Sequence, residues 1–201
     1  MADGGERQST TRQLLLVAAT QEFSAFGYRR TSMEAIARNA GLSRATVYLH
    51  WSSKQALFRD LVTTLHTDRT AAMEDALRSE GDVETRLTRL LLARYDSFVQ
   101  ITAGSPAAAD LYDSHDRICG DVALAAEARA RELVSTFVRG AASRREIDLR
   151  RAELSVSLLV DLLLGLGHAA KGNDPAAVTL ESYQENLAAS VRLVVRGLAV
   201  R

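Results

Sequence analysis

The stretch that most constrains this fold is residues 31–51, which predicts two short helices joined by a tight turn. Thr31 and Glu34 have the spacing of a capping box, so a helix is expected to begin at Thr31. Gly41 is the residue type that ends a helix in the left-handed conformation, and Ser43 is a favourable N-cap for the second helix. Each helix has one apolar face, formed by Met33, Ile36, Ala37 and Ala40 in the first and by Val47 and Trp51 in the second.

The other faces of the second helix carry hydrogen-bond donors, small residues and an aromatic ring. Two short helices with such an outer surface are typical of the helix-turn-helix that reads DNA in the major groove. The same spacing also fits two core helices that bind no ligand, so the flanking sequence has to decide between these interpretations.

The flanking residues follow one order from Arg12 to Phe58. An apolar helix ends in Phe23-Ser24-Ala25-Phe26-Gly27-Tyr28, and the next landmarks are Thr31-Ser32-Met33, Ala40-Gly41-Leu42-Ser43, Thr46-Val47-Tyr48, His50-Trp51 and Ser53-Lys54-Gln55-Ala56-Leu57-Phe58. Over about residues 10–60 this order resembles the N-terminal domain of the tetracycline-repressor (TetR/AcrR-type) family of bacterial transcriptional regulators. Trp51 stands where the family usually has phenylalanine, Ser52 where proline is common, and Leu49 at an often polar position.

The resemblance implies a set of DNA-contacting residues at the starts of three helices. Arg44 can contact a guanine base in bidentate fashion or pair with phosphate. Lys54 is the strongest single candidate, because a lysine in the first turn of a helix opposes the helix dipole unless a phosphate faces it. Ser52 and Gln55 form another predicted capping box before it. The predicted contacts are Thr31, Ser32, Ser43, Arg44, Ala45, Thr46, Tyr48, His50 and Lys54.

The whole chain is predicted to be all-α, with about nine helices. Only 2 prolines interrupt long segments of helical periodicity. We expect a disordered arm at 1–9, a helix-turn-helix DNA-binding domain at 10–54, a connecting helix at 55–80, and a ligand-binding and dimerisation bundle at 82–201. A capping box of Thr10 and Gln13 is expected to open the first helix.

Composition agrees with a soluble intracellular protein. The net charge is zero, but residues 1–60 carry +3 and the remainder −3, an asymmetry that is compatible with an N-terminal DNA footprint. The single cysteine, Cys119, excludes an intrachain disulfide and fits a reducing compartment. The most apolar run is too short to span a bilayer, and the first ten residues do not read as a signal peptide, so we expect a cytoplasmic protein without a membrane partner.

The C-terminal bundle is expected to hold the effector. Tyr112, His115, Asp116 and Cys119 share one helical face, which suggests polar anchors in a ligand pocket more than a metal site, and a solvated or structural polar face is the alternative. The predicted lining is Tyr95, Phe98, Leu111, Tyr112, His115 and Phe137, which would suit a hydrophobic or amphipathic small molecule. No metal ion and no cofactor are expected.

The last two helices are the predicted dimer contact. Leu154 to Ala170 is apolar nearly all round, and its glycines allow helices to approach closely. Asn173-Asp174-Pro175 is the predicted break before the last helix, and Asp161 is expected to pair with a basic or polar group at the interface. Burial of both helices inside a monomer is the alternative. The predicted interface is Leu158, Leu162, Gly165, Leu187, Val191, Val194 and Leu198.

These features together predict a homodimeric repressor that binds a palindromic operator in double-stranded DNA and is released by a small-molecule effector. An enzyme is the first alternative, but the chain shows no catalytic triad spacing, phosphate loop or HExxH motif, and so no enzyme activity is expected. A helical dimer that only binds other proteins is the second, and it would leave the array from Thr31 to Lys54 without a purpose.

Overall fold

The computed structural model describes residues 3–102, 105–171 and 178–199, without the side chains of 3–8, 96–98 and 100. The chain is all-α, as predicted, and no strand occurs in the described residues. None of their helices is both long enough and apolar enough to cross a bilayer. The helices are α1 (Asp3–Arg30), α2 (Met33–Asn39), α3 (Arg44–His50), α4 (Lys54–Arg78), α5 (Val83–Thr102), α6 (Ala108–Ser143), α7 (Val156–Ala169) and α8 (Leu180–Gly197).

Two of the about nine predicted helices lie in α6, on either side of a kink. The merged helix has a kink at Cys119, whose φ of −123° and ψ of 18° are not helical. The chain divides into two compact units, residues 1–65 with 105–122 and residues 66–104 with 123–201. Two of the three boundaries, after residues 65 and 122, therefore fall inside the long helices α4 and α6, and the third, after residue 104, falls between α5 and α6.

The first unit has a core of aromatic and aliphatic side chains from α1, α2, α3 and the start of α4. Gly27, with φ at +78°, ends the regular part of α1 as predicted. Tyr28 then packs on Phe23 and Phe58, with ring centroids 5.9 and 5.0 Å away. The fully or nearly buried residues are Leu15, Ala19, Phe23, Ile36, Val47, Trp51 and Leu57.

The starts of α1 and α4 differ from the prediction. The helix α1 begins at Asp3 and not at a cap formed by Thr10. Phe26, near the end of α1, is 46% exposed. The helix α4 is capped by Ser53 and not by Ser52, since the Ser53 hydroxyl accepts from the Ala56 backbone N–H at 3.1 Å.

The second unit is built around a core in which α8 packs against α5 and α7. Tyr95 donates its hydroxyl proton to the Leu164 carbonyl oxygen at 2.7 Å, and so ties α5 to α7. The ring of Tyr95 lies directly on Gly167, where any side chain would overlap it. The close helix approach expected from the glycines of α7 therefore occurs at Gly167, whereas Gly165 has no atoms within 4 Å of the position a Cβ would take.

The predicted dimer residues divide into two groups. Leu187, Val191 and Leu198 are almost completely buried within the second unit, so they are core residues of one chain and their assignment to an interface is wrong. The physical reason is that α8 needs this stripe to cover α5 and α7. Val194 is half-buried, and Leu158, Leu162 and Gly165 are exposed.

Asp161 was expected to find its partner at an interface between subunits. It pairs instead with Arg131 of the same chain, and both side chains are about half exposed. The Asn173-Asp174-Pro175 break lies outside the described residues.

Replacing Gly167 by alanine should destabilise the second unit, because the new methyl group would overlap the Tyr95 ring. Overpacking of this kind costs about 1–3 kcal/mol. The matched control is Gly165→Ala two residues away, where the space is open and alanine favours the helix by about 1 kcal/mol. Urea unfolding of both variants measures the difference. Equal loss of stability in the two variants would contradict the packing described here.

Candidate nucleic-acid interface

The outer face of α3 is a mixed cationic, aromatic and apolar surface on a rigid base. Val47 is completely buried and Trp51 nearly so, as predicted, which fixes the helix on the core of the first unit. The opposite face exposes 41% of Tyr48 and 81% of Leu49. An exposed leucine beside an arginine and a tyrosine can contact bases by shape and by apolar contact as well as by hydrogen bonds.

Arg44 is oriented by its neighbours. Its guanidinium pairs with Glu34 of α2 at 2.6 Å and lies 5.3 Å from the centre of the Tyr48 ring. The Tyr48 hydroxyl and the Glu34 carboxylate raise the pKa of Arg44, which keeps the side chain cationic. All three side chains are exposed, so these contacts select a direction for the guanidinium without holding it firmly.

The start of α3 is capped as expected. The Ser43 hydroxyl accepts from the Thr46 backbone N–H at 3.1 Å and lies 2.8 Å from the Thr46 hydroxyl. Ala45 is exposed next to them, and His50 is half-buried with its ring 5.4 Å from that of Trp51.

Thr31 is not a surface residue, and its predicted role as the cap of α2 is wrong. Only 3% of it is exposed, and its hydroxyl donates to the Gly27 carbonyl oxygen at 2.7 Å. The cap of α2 is Ser32, which accepts from the Ala35 backbone N–H at 3.1 Å and is exposed. The shift by one residue follows from Thr31 bonding backwards to the end of α1.

The Lys54 side chain forms hydrogen bonds within the first unit. The sequence had predicted that it would be the strongest phosphate contact. Its ammonium donates to the carbonyl oxygens of Tyr28 at 2.7 Å and Thr31 at 2.8 Å, and lies 4.4 Å from the centre of the Tyr28 ring. Burial lowers the pKa of Lys54, and the Asp110 carboxylate opposes this effect. The lysine at the start of α4 thus joins that helix to the turn between α1 and α2.

Trp51 has a polar role that a phenylalanine could not fill. Its indole N–H donates to Asp60 at 2.7 Å, and the same carboxylate accepts from Arg12 at 2.7 and 2.8 Å. These bonds connect α1, the end of α3 and α4. The sequence gave no indication that Asp60 would be the shared acceptor, because the three residues are far apart in the chain.

The sequence also missed the contribution of α6 to the first unit. Asp110 accepts from the Arg29 backbone N–H at 2.9 Å, and Ser105 donates to the Ser24 carbonyl oxygen at 2.6 Å. Arg59 binds Asp121 and the Ile118 carbonyl oxygen. No local pattern predicts these bonds, since they join residues 59 to 81 positions apart.

The predicted ligand-pocket residues are distributed over both units. Leu111, Tyr112 and His115 belong to the first unit, whereas Tyr95 and Phe137 belong to the second. Leu111, Tyr95 and Phe137 are buried core residues. The side chain of Phe98 lies outside the described residues.

The polar face of α6 shows no metal site. In the described parts of the chain, no three His, Cys, Asp or Glu side chains are grouped to hold a metal ion. Cys119 is buried, and burial raises its pKa to about 11, which disfavours the thiolate that binds metals. The His115 ring instead lies 3.1 Å from the Asp116 carboxylate beside it.

Replacing Lys54 by methionine should destabilise the first unit, because two backbone carbonyls lose a charged donor. The expected loss is about 1–3 kcal/mol. The control is Gln55→Met, an exposed neighbour in the same turn, which should change stability little. Chemical unfolding followed by tryptophan fluorescence measures the difference at Trp51. If Lys54→Met were as stable as the wild type, the hydrogen bonds of Lys54 would not stabilise the first unit, and the lysine would be available for phosphate.

The sequence of the first unit matches that of known regulators. The profile of the family described as bacterial regulatory proteins, tetR family, matches residues 15–61. The uncharacterised HTH-type transcriptional regulator YhgD of Bacillus subtilis is 30% identical over 82 residues, which are 41% of this chain and 43% of that protein. The HTH-type transcriptional activator FasR of Mycolicibacterium smegmatis is 33% identical over 85 residues, 42% of this chain and 39% of that protein. The chain therefore spans about two fifths of the length of the relatives it matches.

The fold of nearly the whole chain is shared with solved structures. The TetR family transcriptional regulator PfmR of Thermus thermophilus superposes with a TM-score of 0.68 at 23% identity, over 92% of this chain and 99% of that one. A putative tetR-family regulator of Mesorhizobium loti gives 0.68 at 20% identity, over 96% and 99%. The helix-turn-helix at 31–51 therefore lies in a segment that is similar in sequence to the tetR family of bacterial regulatory proteins, and nearly the whole chain shares the fold of the solved regulators.

Proposed function

We propose that the protein is a homodimeric transcriptional repressor that binds a palindromic operator and is released from it by a small molecule. The observation that carries this proposal is the outer face of α3, which exposes Arg44, Tyr48 and Leu49 on a helix fixed by the buried Val47. A helix of this kind enters the major groove in helix-turn-helix proteins. The protein would act in the cytoplasm, where the DNA is.

The exposed side chains divide by chemistry into base and phosphate contacts. Arg44 has the planar donor pair that matches guanine. Ala45, Leu49 and the Thr46 methyl group suit a thymine methyl. Phosphate oxygens suit the hydroxyl and ring N–H donors at the edges of the proposed DNA-binding surface. These donors belong to Ser32, Ser43, Tyr48 and His50. Lys54 becomes a positioning residue in this proposal, since its ammonium holds the turn before α2.

The dimer would form on the exposed apolar side of α7 and α8. Leu158, Leu162 and Leu193 are exposed, and the exposed Gly165 follows Leu162 by about one turn on the same side of α7. Two recognition helices are needed because half-sites lie about one DNA turn, roughly 34–36 Å, apart or a multiple of it. Two chains per palindromic duplex, measured by the mass of the purified complex, would agree with this arrangement, whereas one chain per duplex would contradict it.

The first experiment is selection of bound sequences from random duplexes, followed by gel shift on the selected site and its use as a promoter in a reporter strain. A selected palindrome whose reporter falls when the protein is produced supports the repressor. A rise in reporter output would make the protein an activator, as the relative FasR is named. Failure to select any sequence would contradict operator binding itself.

Replacing Arg44 by alanine should weaken binding to the selected site by about 1–3 kcal/mol and relax specificity at one base pair. The control is Arg78→Ala, which removes an arginine from another exposed ion pair, at the end of α4. Both variants should keep the stability of the wild type within about 1 kcal/mol. If the two variants bound the selected DNA with equal affinity in gel shift, Arg44 would not contact the DNA.

The effector is proposed to bind in the second unit and to carry an acidic group as well as an apolar body. Arg94 is only 14% exposed and pairs with Glu127, and its Nε atom is buried without a hydrogen-bond partner among the described residues. The guanidinium lies 5.0 Å from the centre of the ring of Tyr95, a residue of the apolar core of the second unit. A buried cation with an unused donor can anchor a carboxylate or phosphate. Arg94 therefore replaces Tyr112 and His115 as the candidate anchor.

This effector class can be tested with paired ligands on the protein–operator complex. Amphipathic acids should release the DNA, and alcohols of equal chain length should not. Arg94→Gln should keep operator affinity but lose the response to acids. Because coupling is reciprocal, the operator must weaken binding of a true effector by the same factor that the effector weakens DNA binding. Release by acids and alcohols alike would contradict an anionic anchor at Arg94.

A further inference from the structure

Arg29 is a cation next to the helix-turn-helix that two carboxylates of α6 hold. Its side chain is 71% exposed and follows the left-handed Gly27 in the turn that leads to α2. The Nε atom lies 3.1 Å from Asp110 and the Nη2 atom 2.8 Å from Asp113. The Arg29 backbone N–H also donates to Asp110 at 2.9 Å. One residue thus receives three contacts from the first turns of another helix.

The close approach of Asp110 is built into the turn. A Cβ atom at position 27 would lie 2.5 Å from the Asp110 carboxylate, so the glycine serves both the left-handed backbone and this contact. Asp110 is only 22% exposed, and its position is set by the packing around it. Asp113 is different, since it is 54% exposed and its contact with Arg29 is an ordinary surface ion pair.

Asp110 and Asp113, the two carboxylates that contact Arg29, would repel DNA bound next to them. The turn with Arg29 and Arg30 comes directly before α2, the first helix of the motif proposed to bind DNA. A phosphate there would attract the guanidinium and repel Asp113. Arg29 binds a phosphate oxygen more favourably when its guanidinium leaves Asp113, because the Asp113 carboxylate and the phosphate repel each other.

We infer that Arg29 is a ligand for a DNA backbone phosphate, and that Asp113, with Asp110 as the fixed anchor, competes with the DNA for its guanidinium. The inference rests on the proposed DNA-binding function. The acidic start of α6 then acts as an internal competitor that lowers the affinity of the free protein for DNA. Removing the charge of Asp113 removes the competition and leaves Asp110 to orient the arginine.

The variant Asp113→Asn tests the competition on a mixed-sequence duplex and on a selected operator. An exposed ion pair of this type corresponds to a change of roughly 2- to 5-fold, so affinity should rise by that factor for both duplexes. The control is Asp116→Asn, the next exposed acid of the same helix, which pairs with His115 and removes an equal charge. It should have a clearly smaller effect.

The second measurement asks whether Arg29 mediates the effect. Arg29→Ala should make the slope of log affinity against log salt shallower by about 0.9, the value of one lost phosphate contact. In the Arg29→Ala background, Asp113→Asn should no longer raise affinity. An unchanged salt slope, or equal gains from Asp113→Asn with and without Arg29, would overturn the inference.

The results also separate this inference from the proposed function. Selection of an operator together with an unchanged slope for Arg29→Ala would leave the regulator intact and overturn the competition. If no operator could be selected, but Asp113→Asn raised the affinity for mixed-sequence duplex only when Arg29 was present, the competition would be supported. Sequence-specific regulation would then be contradicted. A wild-type protein that binds neither duplex would overturn both.

Discussion

The turn between α1 and α2 is the constraint on which the candidate interface depends. Lys54 binds two of its carbonyl oxygens, and Asp110 binds its Arg29 N–H. Thr31 closes the turn from inside by bonding to the Gly27 carbonyl oxygen. A buried or half-buried backbone group left without its partner costs about 1–3 kcal/mol, so these bonds leave the turn little freedom. The direction of α2, and with it that of α3, follows from the turn.

A second set of polar bonds fixes the other end of the motif. The Asp60 carboxylate accepts from the indole of Trp51 and from Arg12, and so joins α1, α3 and α4. The recognition helix is therefore held by a buried apolar stripe on one side and by directed bonds at its end. This leaves its outer face free to differ in sequence without loss of the fold. The unusual Leu49 can be tolerated there because it takes no part in the core.

The second unit is held together mainly by the packing of its long helices around an apolar core. Its core is mainly aliphatic with Phe137 and two tyrosines, and Gly167 lets the Tyr95 ring lie against the backbone of α7. Arg94 and Arg86 are mostly buried, and each pairs with a glutamate through a donor other than Nε, which has no partner among the described residues. Buried charges are costly unless fully bonded, and the effector is proposed to bind at Arg94 for this reason.

The sequence by itself determined the helical class, the helix-turn-helix with Gly41 and Ser43, the buried Val47 and Trp51, and the end of α1 at Gly27. These features depend on neighbours within a few residues, where spacing and residue type suffice. Tertiary structure alone decided that Thr31 and Lys54 serve the turn, and that Leu187 and Val191 cover their own core. Each of these outcomes depends on atoms distant in the chain. Lys54, for example, turns inward because carbonyl oxygens of the turn between α1 and α2 accept its hydrogen bonds. Periodicity shows that a side chain lies on an apolar face, but it does not show which surface covers that face.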